Sequence, residues 1–219
     1  LALIKKKKGR FLNKLIQIDV DAQCATVQPG MVLDHLNDAL KSKGLFFPVD
    51  VSTSSRATIG GMTANNSCGA RSIRYGNMVH NVHAIDTILA DGTQIRFGET
   101  PANLDGFEGS NRYIDLVKGM RNLGIRDADE IDARIPKLLR KVGGYNIETI
   151  SPIGHNMAHL LVGSEGTLGF FKKIELNLAK IPAYKVLGVC HFPTFYSAME
   201  TTQHIVKLEP SAVELVDRT

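Results

Sequence analysis
The chain has 219 residues and a formal net charge of +4, with 43% hydrophobic and 22% charged residues, the balance of one large globular domain or of a domain and part of another. The mild charge, with no basic stripe interleaved with aromatics, speaks against nucleic-acid binding, and no apolar run nears the roughly 20 residues that span a bilayer. Cys24, Cys68 and Cys190 are odd in number, widely spaced and free of any CxxC, which speaks against a disulfide framework, zinc or iron–sulfur site and points to a reducing, cytoplasmic compartment.

At the N-terminus, Leu1 to Ile4 is too short for the apolar part of a signal peptide, and Lys5 to Lys8 reads as a solvated terminus. Lys14 to Val20 and Cys24 to Gln28 read as two strands around a turn at Asp21-Ala22. From Met31 to Lys43, Val32, Leu36, Ala39 and Leu40 recur at helical spacing, and Gly44 is a natural stop. Leu45 to Val49 is a short apolar run. Asp50 to Gly76 is then rich in Ser, Thr, Gly and Asn and reads as a long functional loop.

Val79 to Phe97 predicts a hairpin about the Asp91-Gly92 turn. Gly98 to Ser110 reads as a polar loop, followed by helices over Tyr113 to Leu123 and Asp127 to Lys141, the second interrupted by Pro136. A short helix is predicted at Asn156 to Leu161, then a turn at Gly163 to Gly166. The next strand places Leu168, Phe170, Lys172, Ile174, Leu176 and Leu178 on one face. Beyond Pro182, strands are predicted at Lys185 to Phe192 and Ala212 to Val216, flanking a helix from Thr194 to Leu208. Such a β-α-β unit cannot bury both of its faces alone, so it reads as the beginning of another domain.

Two segments carry the chemistry. In PVDVSTSSRATIGGMTANNSCGARSIRYG, from Pro48 to Gly76, the Gly60-Gly61 pair lacks Cβ atoms, so its backbone can approach a ligand and form a nest of N–H groups for phosphate oxygens. An ordinary tight turn reads equally well from that pair alone. No GxGxxG or GxxxxGK[ST] sequence is present. In VGSEGTLG, from Val162 to Gly169, Gly163 and Gly166 bracket a turn, while Gly169 opens a gap in a bulky strand for a ligand or a bulge.

In this order, Ser-Thr-Ser, TIGGM, NNSCG, SIRYG, ILADGT, GGYN and VGSEGTLG resemble the FAD-linked oxidases, the family of D-lactate dehydrogenase and the glycolate oxidase flavin subunit, from about Lys14 to Thr219. The resemblance implies an α+β fold. Residues 1–181 would be the second FAD-binding lobe of the vanillyl-alcohol-oxidase-like (PCMH-type) flavoprotein fold, with an insertion at about 98–141. Residues 182–219 would begin an α+β substrate or cap domain.

It further implies that Pro48, Ile59, Gly60, Gly61, Asn65, Asn66 and Gly69 line FAD, with Ser54 and Thr58 on the same loop. Gly163, Gly166, Leu168 and Gly169 would pass along the isoalloxazine and ribityl region. The family's pyrophosphate loop would lie upstream, and its substrate-binding, metal-binding and catalytic residues in the cap beyond Thr219. The whole enzyme would oxidise a 2-hydroxy acid such as D-lactate or glycolate and pass electrons to an acceptor the sequence does not name. The chain alone would bind FAD weakly and be inactive. A reading of another class is a non-catalytic remnant or partner subunit with the same fold.

Other candidates weigh less. His155 with His159, and His80 with His83, lack a third ligand and read as surface or capping histidines rather than a metal site. Cys68 reads as a packing residue. Arg71 and Arg74 suit either an anionic group or a solvated loop, and Glu165 suits orientation of its turn by accepting N–H groups.

Overall fold
The structure is a computed structural model that describes residues 12–217; the Lys5 to Lys8 run and Thr219 lie outside them. Strands β1 (Leu15–Asp19) and β2 (Cys24–Val27) pair antiparallel as the alternation predicts, with Gln23 at φ 50° in the turn. Helix α1 (Leu33–Lys41) buries Leu33, Leu36 and Leu40, one side of a 3.6-residue period. It stops where Gly44 takes φ +70° and donates to the Lys41 carbonyl.

The long loop folds further than its composition predicts. It contains α2 (Ile59–Ala64), α3 (Ser72–Tyr75) and α4 (Met78–Asn81). The predicted hairpin follows as β4 (Val82–Ile88) and β5 (Gln94–Phe97), with Gly92 at φ +84° in its turn. Two short pairings lie outside the main sheet. β3 (Leu45–Phe46) joins β9 (Ala179–Lys180), and β6 (Glu99–Pro101), inside the expected polar loop, joins β7 (Gly154–Asn156).

The insertion begins with α5 (Asn111–Arg126), capped by Ser110, whose Oγ accepts from the Tyr113 N–H. The next helix, α6 (Ala128–Arg134), ends sooner than predicted, because Pro136 pushes the residue before it out of the helical region. Arg121 is buried and clamps the β6 strand through the carbonyls of Ala102 and Pro101 and the Thr100 hydroxyl. A short helix, α7 (Ala158–Leu161), then packs on β4.

Strand β8 (Phe170–Asn177) enters the middle of an antiparallel five-stranded sheet of order β1-β2-β8-β4-β5. Its expected alternation breaks at one point: Phe171 is buried and Phe170 exposed. Opposite it, Asp86 pairs with Lys173 and Thr87 with Phe171, so Lys172 is the extra residue of a bulge and the faces exchange there. The core between sheet and helices is built on Val27, Leu36, Leu40, Phe47, Ile59, Met78, Ile85, Ile174 and Leu176.

Past β9, helix α8 (Phe195–Ile205) forms as predicted, capped by Thr194 and continued by a 3-10 turn at Val206–Leu208. The strands expected at Lys185 to Phe192 and Ala212 to Val216 do not form. A strand exists only by hydrogen bonding to a neighbour, and neither segment has one among the described residues; Tyr184, Val186 and Leu187 are almost fully exposed.

Candidate functional site
Thr58 caps α2 by accepting from the Gly61 N–H at 3.3 Å. The N–H of Ile59 donates to the Met31 carbonyl at 2.8 Å, that of Gly60 to Pro29 at 2.7 Å, and that of Met62 to Thr58 at 2.9 Å. The expected phosphate nest is therefore not offered, because the donors at the start of α2 are spent on the chain itself. Neither Gly60 nor Gly61 has positive φ. A Cβ on Gly60 would stand 2.4 Å from the Pro29 Cβ, so this glycine admits the Pro29-Gly30 turn. A Cβ on Gly61 would meet only the Thr58 Oγ1, at 3.1 Å, leaving that flank of the helix open. Gly69 is held to glycine by Asp50, whose carbonyl oxygen would lie 2.2 Å from an added Cβ.

At its C-terminal end α2 passes through exposed Asn65 to buried Asn66, which sits at φ 49°. The Asn66 Nδ2 donates to the Lys141 carbonyl at 3.2 Å, and its Oδ1 accepts from the Val79 N–H at 3.0 Å. Asn77 donates to the same Lys141 carbonyl at 3.1 Å. In the Gly143 to Asn146 segment, Asn146 donates to the carbonyls of His159 and Val162 at 3.1 and 2.8 Å. The 163–166 turn is fastened to the end of α2: the Gly163 N–H donates to Thr63 and the Glu165 N–H to Ala64, each at 2.9 Å. Gly163, Glu165 and Gly166 all take left-handed φ, at 82°, 52° and 79°. Across the turn, the Tyr145 hydroxyl lies 2.8 Å from the Thr167 Oγ1.

Three motifs far apart in sequence thus meet at one junction. Its exposed residues are Asn65, Tyr145, Glu165, Gly166, Thr167 and Leu168. Ser164 is buried behind them, and its hydroxyl has no hydrogen-bond partner among the described residues. Of the residues expected to line a ligand, Asn65, Gly166 and Leu168 are exposed, whereas Ser54, Thr58, Gly60, Gly61, Gly69 and Gly169 are half-buried. Pro48, Ile59, Asn66 and Gly163 are buried and hold the loops from behind. The gap at Gly169 is closed by the protein itself, since an added Cβ would stand 2.4 Å from the Thr87 Cγ2. The Glu165 part differs too: it is the backbone N–H, donating to α2, that orients the turn.

Sequence reasoning missed Asn77, Asn146, Tyr145 and Thr167. GGYN contains Tyr145 and Asn146 and VGSEGTLG contains Thr167, but neither motif singled those residues out, and Asn77 lay outside both.

The remaining candidates have ordinary partners. His155 is held by the Ser151 carbonyl at 3.0 Å, and burial keeps both His155 and His159 below their usual range, Arg121 adding to the effect at His155. Among the described residues no three His, Cys, Asp or Glu side chains are grouped to hold a metal ion. The Arg140 guanidinium donates to the Cys68 Sγ at 3.1 Å. Arg71 lies over the Phe46 ring at 5.6 Å, and Arg74 reaches the Glu209 carbonyl at 3.3 Å. A cavity of about 470 Å³ lies between α6 and the 3-10 turn at Ile147–Thr149, lined by Asn77, Ile131, Ile135, Lys141 and Glu148; none of the residues expected for FAD faces it.

Residues 8–98 match the family described as FAD binding domain. The chain is similar to D-2-hydroxyglutarate dehydrogenase of Pseudomonas putida, at 31% identity over 95% of this chain and 21% of that protein. It is also similar to glycolate oxidase subunit GlcD of Bacillus subtilis, at 28% identity over 95% of this chain and 35% of that one. The chain therefore spans a fifth to a third of the length of these relatives. In fold it is similar to alkyldihydroxyacetonephosphate synthase, with a TM-score of 0.57, 21% identity, and coverage of 93% of this chain and 28% of that one.

Proposed function
We propose that this chain, similar over its length to FAD-linked oxidoreductases, supplies one wall of the FAD site in an enzyme that oxidises a 2-hydroxy acid. The observation that carries the reading is the junction of α2 with the 163–166 turn, where a buried Ser164 hydroxyl, without a hydrogen-bond partner among the described residues, stands behind an exposed rim. A buried polar atom without a partner is costly, and a ligand that completes its hydrogen bonding removes that cost.

The residues present fit the cofactor. Gly61 on α2, Asn65 just past its end and residues 164–168 would face it. Pro48, Ser54, Thr58, Ile59, Gly60, Asn66, Gly69, Gly163 and Gly169 would set the shape of that wall. Bound FAD supplies two-electron oxidation at the C2 carbon of the acid, and this chain's part is to hold and orient the cofactor. The substrate is a 2-hydroxy acid, a class supported by the names of both relatives. We place a domain boundary near Pro182, supported by the exposure of residues 181–191. A cytoplasmic location accords with three free cysteines; among the described residues no helix is long and apolar enough to cross a membrane.

Titration of the purified 219-residue chain with FAD, followed by flavin fluorescence, tests the reading. Weak but saturable binding, as one wall of the site alone would give, and its further weakening by Gly61→Val support it. Absence of saturable binding, or binding indifferent to Gly61→Val, overturns it.

A further inference from the structure
We infer that Tyr145 is a positioning residue for the 163–167 turn, an inference that rests on that turn being a wall of the FAD site. The turn needs support, because three of its residues take left-handed φ and one of them, Glu165, is not glycine. From below, the carbonyls of Thr63 and Ala64 fasten Gly163 and Glu165. These bonds leave the exposed end of the turn, Gly166 to Leu168, to be fixed by something else.

Proton accounting gives the direction of the remaining contact. The Thr167 hydroxyl donates its single proton to the Ser164 carbonyl at 2.6 Å. At the 2.8 Å contact Thr167 Oγ1 is therefore the acceptor, and Tyr145 donates. The result is a relay from the Tyr145 phenol through Thr167 to the Ser164 carbonyl, which also accepts from the Thr167 N–H at 2.9 Å. The relay's origin is itself anchored, because the neighbouring Asn146 is bonded to two carbonyls of the α7 region. Tyr145 remains 44% exposed, so the residue does not contribute chiefly by filling the core. Its polar tip sets where residues 164–168 stand.

The test compares Tyr145→Phe, Thr167→Val, their double variant and Thr167→Ser in the full 219-residue chain. FAD affinity is read by flavin fluorescence, and folding by thermal unfolding without FAD. Loss of one hydrogen bond on the turn is expected to weaken FAD binding roughly three- to ten-fold in each single variant. The double variant should be no weaker than the worse single, and Thr167→Ser should bind like the parent. Unchanged affinity with lowered melting temperature would assign Tyr145 a structural role alone and overturn the inference. So would fully additive losses. If the parent chain shows no saturable binding, the FAD reading itself fails and takes this inference with it; parent binding with indifferent variants defeats only the inference.

Discussion
The Asn66 side-chain amide donates to the Lys141 carbonyl at 3.2 Å, joining the end of α2 to the entry of the Gly143 to Asn146 segment. Because Asn66 also accepts from the Val79 N–H and tolerates φ 49° better than most residues, one side chain meets three demands. Asn66→Ala leaves the Val79 donor unpaired in the interior and strains the backbone. We expect it to destabilise the fold by about 2–4 kcal/mol, read by urea unfolding. A cost near zero would mean that the loops hold together without this residue.

The two adjacent glycines of α2 should respond unequally. Gly60→Ala drives a Cβ into Pro29, and the resulting overpacking should cost about 1–3 kcal/mol. Gly61→Ala faces only the Thr58 hydroxyl and gains helix propensity, so its stability should stay within about 1 kcal/mol of the parent. Thermal unfolding of the pair decides the matter, and equal destabilisation would contradict it.

Gly169 gives a coupled test. Gly169→Ala brings a Cβ against the Thr87 methyl and the Ile88 carbonyl, and should cost about 1–3 kcal/mol. Thr87→Ser removes that methyl, so the double variant should recover part of the loss. Strict additivity in chemical unfolding would show that the strand contact is not what excludes a side chain here.

Stability should depend on pH through His155 and His159. Burial holds both imidazoles below their ordinary value of 6.5. As pH falls through 6.5 the unfolded chain takes up protons that the folded chain still refuses, so the contribution is complete above that value and is lost below it. The loss levels off only when the folded histidines protonate too. Melting temperatures measured from pH about 8 down to about 5.5 should fall at the acid end. Replacing both histidines with Gln should flatten the fall, and an unchanged slope would assign it to other groups.

Much of the fold is written locally. The Asp91-Gly92 turn, the stripe of Leu36 and Leu40 and the stop at Gly44 each act within a few residues, and each forms as predicted. The glycines of the candidate site are harder to read, because a missing Cβ says that something comes close without saying what. At Gly60 it is Pro29, and at Gly169 it is Thr87. The structural part of Asn66 and Asn77 is hidden for a related reason: their acceptor is the Lys141 backbone carbonyl, which only the tertiary fold brings within reach. The strands expected beyond Pro182 fail because alternation describes a face, while a strand also needs a neighbour.

The position of β8 has a consequence for synthesis. Its Leu176 lies opposite both Ala25 of β2 and Val82 of β4, so the last strand of the sheet to leave the ribosome is the one at its centre. Until then the β1–β2 and β4–β5 hairpins have no partner in common, and each is marginal by itself in water. Contacts so distant in sequence are slow to form, and the two inner hairpin edges stay unpaired while they wait. The nascent chain is therefore open to wrong strand pairing until residue 177 has emerged, and ribosome-stalled chains ending before β8 should engage chaperones more than those ending after it.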